Sequence, residues 1–294
     1  MGDITEIKQL TKGEVEGLLE AAERWRKVGQ GREFAGRTVA NLFFEPSTRT
    51  HFSFMAAQQR LGLHILNLNQ GHSSTTKGET LYDTLQTLAA LGVEVAVIRM
   101  KEEGVLRTMR EQGVGPTLIS GGEGTSSHPT QALLDLLTIK QHFGEVKGLK
   151  VAMVGDVAHS RVVHSNLSLL KKMGATVLLS GPEAMRAPAL EKEASYVSID
   201  EAVETADVMM MLRVQLERHQ QALPLSVETY HQRYGLTLER GERLQSHSII
   251  MHPGPVNRGV EIADYWVEHE RTKILAQVQN GLWMRMAVME RALS

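Results

Sequence analysis

What most constrains this chain of 294 residues is an alternation of short apolar runs with segments of helical period, and the alternation occurs twice. Residues 39–44, 65–69, 93–98 and 117–120 read as strands, too short for buried helices and rich in β-branched residues, Leu and Phe. Around them, residues 11–27, 50–61, 79–91 and 103–112 space their apolar positions for helices, the first opening on Thr11 and Glu14, a capping-box pair. A helix at 129–143, with Pro129 in its first turn, closes this block. The pattern then restarts, with strands at 150–154, 176–179, 208–212 and 248–251, helices at 164–173 and 199–204, and a long final helix at 272–293. Strands separated by helices pair in parallel, and a parallel sheet needs helices over both faces. The fold class predicted is therefore α/β. The length is near the limit for a single core, and the blocks meet near residues 130–150. We expect two domains, each a parallel β-sheet flanked by helices, at residues 1–143 and 144–271. Residues 213–247 are polar and read as a long surface excursion, suited also to a substrate loop.

Several classes of function are disfavoured by what the chain lacks. Its net charge is -2, with no long run of Lys or Arg, so a nucleic-acid partner is not expected. The absence of cysteine removes disulfides, thiolate metal sites and cysteine nucleophiles together, and makes a cytoplasmic location the simple expectation. The start, Met1-Gly2-Asp3-Ile4-Thr5-Glu6, has no basic or apolar leader character, and no apolar run reaches the roughly 18 residues that would span a bilayer. No metal is expected: the twelve histidines form no His-Glu-x-x-His pattern, and His159 and His164 are spaced for different helix faces. Met209-Met210-Met211 reads as strand packing. Gly155-Asp156 lacks the remaining glycines of a dinucleotide turn, and Gly121-Gly122-Glu123-Gly124 lacks the Gly-Lys-Ser/Thr ending of a phosphate loop. No cofactor is expected, and those glycines read as a tight turn before His128.

The stretch Phe44-Glu45-Pro46-Ser47-Thr48-Arg49-Thr50 carries the chemistry. A strand ends there and a helix begins, where unpaired N–H groups and a positive dipole end favour an anion. Ser47, Thr48 and Thr50 add hydroxyls, and Arg49 a planar fork that fits phosphate oxygens. Taken alone, the same residues could simply cap a helix, with Arg49 in solvent. Arg99 at a strand end, His128 before Pro129, and Lys77 in a Ser/Thr-rich loop have equally plain structural readings when each is considered singly. Arg161 and Arg213 each follow a strand of the second block, where open parallel sheets place ligands. Two such arginines suit a dicarboxylate.

From Asn41 through Leu61, and again at each later segment, the chain resembles the aspartate and ornithine carbamoyltransferase family, over essentially its whole length. The resemblance implies that residues 1–143 bind carbamoyl phosphate, that 144–271 bind aspartate, and that 272–294 pack back toward the N-terminal domain. Ser47, Thr48, Arg49 and Thr50 would cradle the phosphate, with Arg99 also in contact. His128 and Gln131, from His128-Pro129-Thr130-Gln131, would lie beside the carbamoyl group. Gly254 and Pro255, from His252-Pro253-Gly254-Pro255, would offer carbonyls to its amine. Lys77, Arg161, Arg213 and Gln215 would hold aspartate. Lys77 and Ser73 (or Ser74) would reach a neighbouring subunit's site, which implies a homotrimer with shared sites, alone or with a regulatory chain or another pyrimidine-pathway enzyme. Ornithine-using relatives carry a cysteine-containing segment near 252–255, so a cysteine-free chain favours aspartate. Arg258 and Glu261 are expected to form an ion pair that steadies that loop.

The reaction implied is attack of the uncharged aspartate amine on the carbamoyl carbon, with Arg49, Thr50, Arg99 and His128 as catalytic residues and phosphate departing. At a helix start, a histidine resists a second positive charge, which suits His128 as a neutral donor. Transfer to another amine, binding of carbamoyl phosphate without turnover, and a scaffold role all stay open on sequence alone.

Overall fold

In the computed structural model, residues 2–68, 78–214 and 226–294 are described. The strands are β1 (Thr38–Phe43), β2 (His64–Leu68), β3 (Val93–Met100), β4 (Thr117–Glu123), β5 (Lys150–Val154), β6 (Thr176–Ser180), β7 (Ser195–Tyr196), β8 (Val208–Met211) and β9 (Ile249–Met251). The helices in the first half are α1 (Lys12–Val28), α2 (Thr48–Arg60), α3 (Leu81–Ala90), α4 (Val105–Glu111) and α5 (Pro129–Phe143). Those that follow are α6 (Arg161–Lys172), α7 (Ile199–Thr205), α8 (Val227–Tyr234), α9 (Leu238–Glu242), α10 (Asp264–Glu268) and α11 (Ile274–Leu293). Two compact units result, Met1–Leu137 with Val278–Ser294, and Thr138–Gln277.

The first unit holds a four-stranded sheet of order β2-β1-β3-β4, every pair parallel. Strand β1 is buried from Val39 onward because strands cover both its edges and helices its faces, which is why it reads as a continuous apolar run. Ala40, Leu42, Leu85, Ile98, Leu106 and Leu118 form one core cluster there; truncating a residue as enclosed as Leu85 to Ala would cost about 2–5 kcal/mol. The last helix returns to this unit. Arg291 pairs with Glu14 and Arg24 with Glu290, and Trp25 donates its indole N–H to Glu290 at 2.7 Å. Helix α1 starts as its sequence predicts, Thr11 and Glu14 exchanging the capping-box bonds.

The second unit holds a five-stranded sheet of order β7-β6-β5-β8-β9, again wholly parallel. Met209, Met210 and Met211 are fully buried in β8, as strand packing requires. Of the surface excursion expected at residues 213–247, residues 215–225 lie outside the described residues, and the rest differs from that expectation. Residues 226–247 contain α8 and α9, and bury Tyr230, Leu236 and Leu244, three apolar anchors among so many polar residues that they left no visible period. Strand β7 and helix α10 were likewise too short to announce themselves. Gly121 and Gly122 do not make a turn but lie inside β4. A Cβ on Gly121 would come within 3.3 Å of the Phe43 ring, so the strand needs glycine for close packing.

Candidate active site

Both sheets reverse their winding once, and Ser47, Thr48, Arg49, Thr50, Arg99, Arg161 and Arg213, among the residues singled out in the sequence, stand at those places. In the first sheet β1 is followed on one side by β2 and on the other by β3. In such open sheets the crevice at the carboxyl ends of the strands flanking the reversal is the ligand position. At that edge the chain leaves β1 into Glu45-Pro46-Ser47 and leaves β3 at Arg99 and Met100, with Phe44 N–H bonded to the Arg99 carbonyl at 2.8 Å. Helix α2 is fixed over it by reciprocal 2.8 Å amide bonds between buried Asn41 and Gln58, and by His51 stacked on Phe43 at 4.6 Å.

Ser47 is the residue before α2, yet its side chain makes no cap bond. The plain capping reading of Ser47 therefore fails. Thr48 and Arg49 are exposed and Thr50 is buried. Arg99 is mostly buried, 3.5 Å from the carboxylate of buried Glu45 and donating to the Gly121 carbonyl at 3.1 Å. His128 is buried at the start of α5, where its carbonyl accepts the N–H of Ala132. One turn further, Gln131 donates its amide to buried Asp135 at 2.9 Å.

Two charged groups of this unit escaped the sequence reading. Glu45 was quoted within the motif but given no part. Arg285, on the last helix, is buried, donates to Ser53 Oγ of α2 at 2.8 Å and lies 5.0 Å from the Phe54 ring centre. Burial pulls its guanidinium down to about 9, with Asp135 opposing the shift and Arg99 adding to it. A single cation inside the apolar run from Leu282 to Met289 was the available signal.

In the second sheet the reversal lies at β5, between β6 and β8. Chain leaving β5 runs through Gly155, Asp156 and Ser160 into α6. The helix starts at Arg161 itself, three residues before the predicted start, so this arginine occupies a first turn like Arg49. Arg213 leaves the neighbouring strand, β8, two residues beyond Met211, the partner of Val154. Gly155 has φ +134°, and a Cβ there would sit 3.0 Å from the Leu212 carbonyl, so glycine lets the two strand ends approach. Ser160, like Ser47, makes no side-chain cap bond.

The loop after β9 carries Gly254 and Pro255, joined by a cis peptide bond. Its expected ion pair is not the one formed. Arg258 pairs with Glu268, while Glu261 turns inward to His252; a buried carboxylate takes the nearest donors, and the ring and the Asn257 N–H are nearer. Ser73, Ser74, Lys77 and Gln215 lie outside the described residues. Among the described residues no group of three or more His, Asp or Glu is arranged to hold a metal, and no helix is long and apolar enough to cross a membrane.

Residues 3–141 match the family described as aspartate/ornithine carbamoyltransferase, carbamoyl-P binding domain, and residues 147–292 match its Asp/Orn binding domain. The chain belongs to the aspartate/ornithine carbamoyltransferase family. Within it, the chain is 46% identical to the aspartate carbamoyltransferase catalytic subunit of Listeria monocytogenes, over 100% of this chain and 96% of the relative. It is 49% identical to that of Enterococcus faecalis, over 97% and 93%. Among solved structures, an aspartate transcarbamoylase from Trypanosoma cruzi in complex with carbamoyl phosphate matches with a TM-score of 0.88 at 31% identity, over 98% of this chain and 94% of that one. The same enzyme with N-(phosphonacetyl)-L-aspartic acid matches with a TM-score of 0.87 at 32% identity.

Proposed function

We infer that this family member transfers the carbamoyl group of carbamoyl phosphate to the amine of L-aspartate, giving N-carbamoyl-L-aspartate and phosphate, a step of de novo pyrimidine biosynthesis. One observation carries the reading: each sheet reverses where a serine-started helix with arginine in its first turn faces the next strand end, and that strand end also carries an arginine. In the first unit we assign Ser47, Thr48, Arg49 and Thr50 to the phosphate, Arg99 to phosphate and carbonyl oxygen, and His128 and Gln131 to the carbamoyl group. In the second, Arg161 and Arg213 read the two carboxylates, which is what separates aspartate from an amino acid with a single carboxylate such as ornithine. Gln215 is assigned with them, and the Gly254 and Pro255 carbonyls to the carbamoyl amine.

In this scheme the amine lone pair attacks the carbamoyl carbon while Thr50, Arg99 and His128 stabilise charge growing on its oxygen. A single donor aimed in this way is worth roughly 3–4 kcal/mol. The C–O bond to phosphate then breaks, and the phosphate leaves toward Arg49 carrying the proton lost by the amine. A homotrimer, with Lys77 and Ser73 or Ser74 reaching a neighbour's site, a regulatory or pathway partner, and a cytoplasmic setting complete the proposal, supported by family membership.

The test is one radiolabelled carbamoyl phosphate assay with aspartate and with ornithine in parallel. Carbamoyl aspartate is the expected product. Product from ornithine alone would overturn the choice of acceptor, and no product from either would leave a binding protein.

A further inference from the structure

The loop after β9 is organised by a buried carboxylate. His252 and Glu261 are almost fully enclosed, with His252 Nε2 3.0 Å from Glu261 Oε1. Ring atom Nδ1 accepts the N–H of Gly254 at 2.8 Å, which leaves Nε2 as the donor to the carboxylate. The same carboxylate oxygen accepts the Asn257 N–H at 2.6 Å. A single oxygen thus holds the His252 ring at one end of residues 252–257 and the Asn257 backbone at the other.

With its backbone held there, Asn257 turns its side chain to another element. Its amide donates to the Val214 carbonyl at 2.8 Å. Val214 is buried among Met185, Tyr230 and Val260, and it directly follows Arg213 at the end of β8. One residue therefore joins the segment bearing Gly254 and Pro255 to the strand end bearing Arg213. A carbonyl accepts only from a donor, so an aliphatic side chain of similar volume could fill the space without making the tie.

We propose that Asn257 is a positioning residue for the acceptor substrate, setting the place of Arg213 through the Val214 carbonyl. This rests on the reading of Arg213 as an aspartate ligand. Asn257→Leu keeps the volume and Asn257→Ala removes it, while both leave the backbone bond to Glu261 possible. For each, the full-length chain is assayed for kcat and for KM with L-aspartate, and for equilibrium binding of carbamoyl phosphate. Losing one hydrogen bond that orients a charged ligand group should raise KM for aspartate roughly tenfold, with kcat and carbamoyl phosphate affinity within about twofold of the parent. A merely structural role would move all three together or none, and either result overturns the proposal. A parent chain that makes no carbamoyl aspartate sinks the aspartate reading and this inference with it; an active parent with unmoved variants sinks the inference alone.

Discussion

At Thr11, Thr80, Ser198, Ser226 and Thr237 the side chain before a helix accepts the backbone N–H three residues on, and an acid stands in the first turn. At Ser47 and Ser160 neither holds, and arginine takes the place of the acid. Ordinary capping contributes about 1 kcal/mol, and an acid near the positive dipole end a further 0.3–1 kcal/mol, roughly. Among the described helices that open on serine or threonine, these two forgo both and add a cation where the dipole disfavours it. They are also the helices that follow the central strand of each sheet at its reversal. Local rules broken together at a ligand position are the mark of a site kept for binding at some cost in stability.

If α2 is built for an anion, its arginine should matter most. Arg49→Ala is expected to lower kcat/KM for carbamoyl transfer by about a thousandfold, since a charge-assisted fork to a departing phosphate is lost. A loss below about tenfold, too small for a charged contact in the transition state, would reduce α2 to an unusual helix start. Arg161→Ala tests the same idea at α6. It should raise KM for aspartate roughly a hundredfold and leave carbamoyl phosphate binding within about twofold, as expected for one charged carboxylate contact. Equal damage to both substrates would remove the distinction drawn between the two units.

The sequence made only one of the two helix starts visible. Around Ser47 the motif itself was legible, because a strand, a proline and three hydroxyls crowd a single turn. Around Arg161 only the strand before it was legible; the polar run His159-Ser160-Arg161 hid the start of the helix. Strand order could not be read at all, since parallel pairing depends on which buried edges meet, and no local pattern records that. Glu45 and Arg285 were missed for a related reason, their partners Arg99 and Ser53 being set by tertiary packing. Polar residues also hid α8 and α9, whose burial rests on a few anchors such as Tyr230 and Leu244.

A matched pair of serine variants isolates the cap itself. Ser198→Ala should cost about 1 kcal/mol of unfolding free energy with activity unchanged, because a real cap is removed from α7. Ser47→Ala should leave stability within about 0.3 kcal/mol, having no cap bond to lose, and lower kcat/KM roughly tenfold. If Ser47→Ala destabilises the chain as much as Ser198→Ala, the two kinds of helix start are one kind.

The smallest effect concerns the acid that the ordinary helix starts possess. Glu14 accepts the Thr11 N–H and is paired with Arg291, and these bonds, the backbone one first, lower its carboxyl from 4.5 to about 2. A depressed folded-state value means that the unfolded chain takes up the proton first as pH falls. The associated stability is therefore present above pH 4.5 and drains away as pH drops toward 2. The side chain is 36% exposed, so solvent screening holds the pair to no more than about 1 kcal/mol. Glu14→Gln can keep the capping-box geometry while removing the charge. Urea unfolding of parent and variant should show a small gap at about pH 5.5 that closes progressively by about pH 2.5. A gap of constant size across that range would mean that the cap's geometry, and not its charge, is what distinguishes α1 from α2.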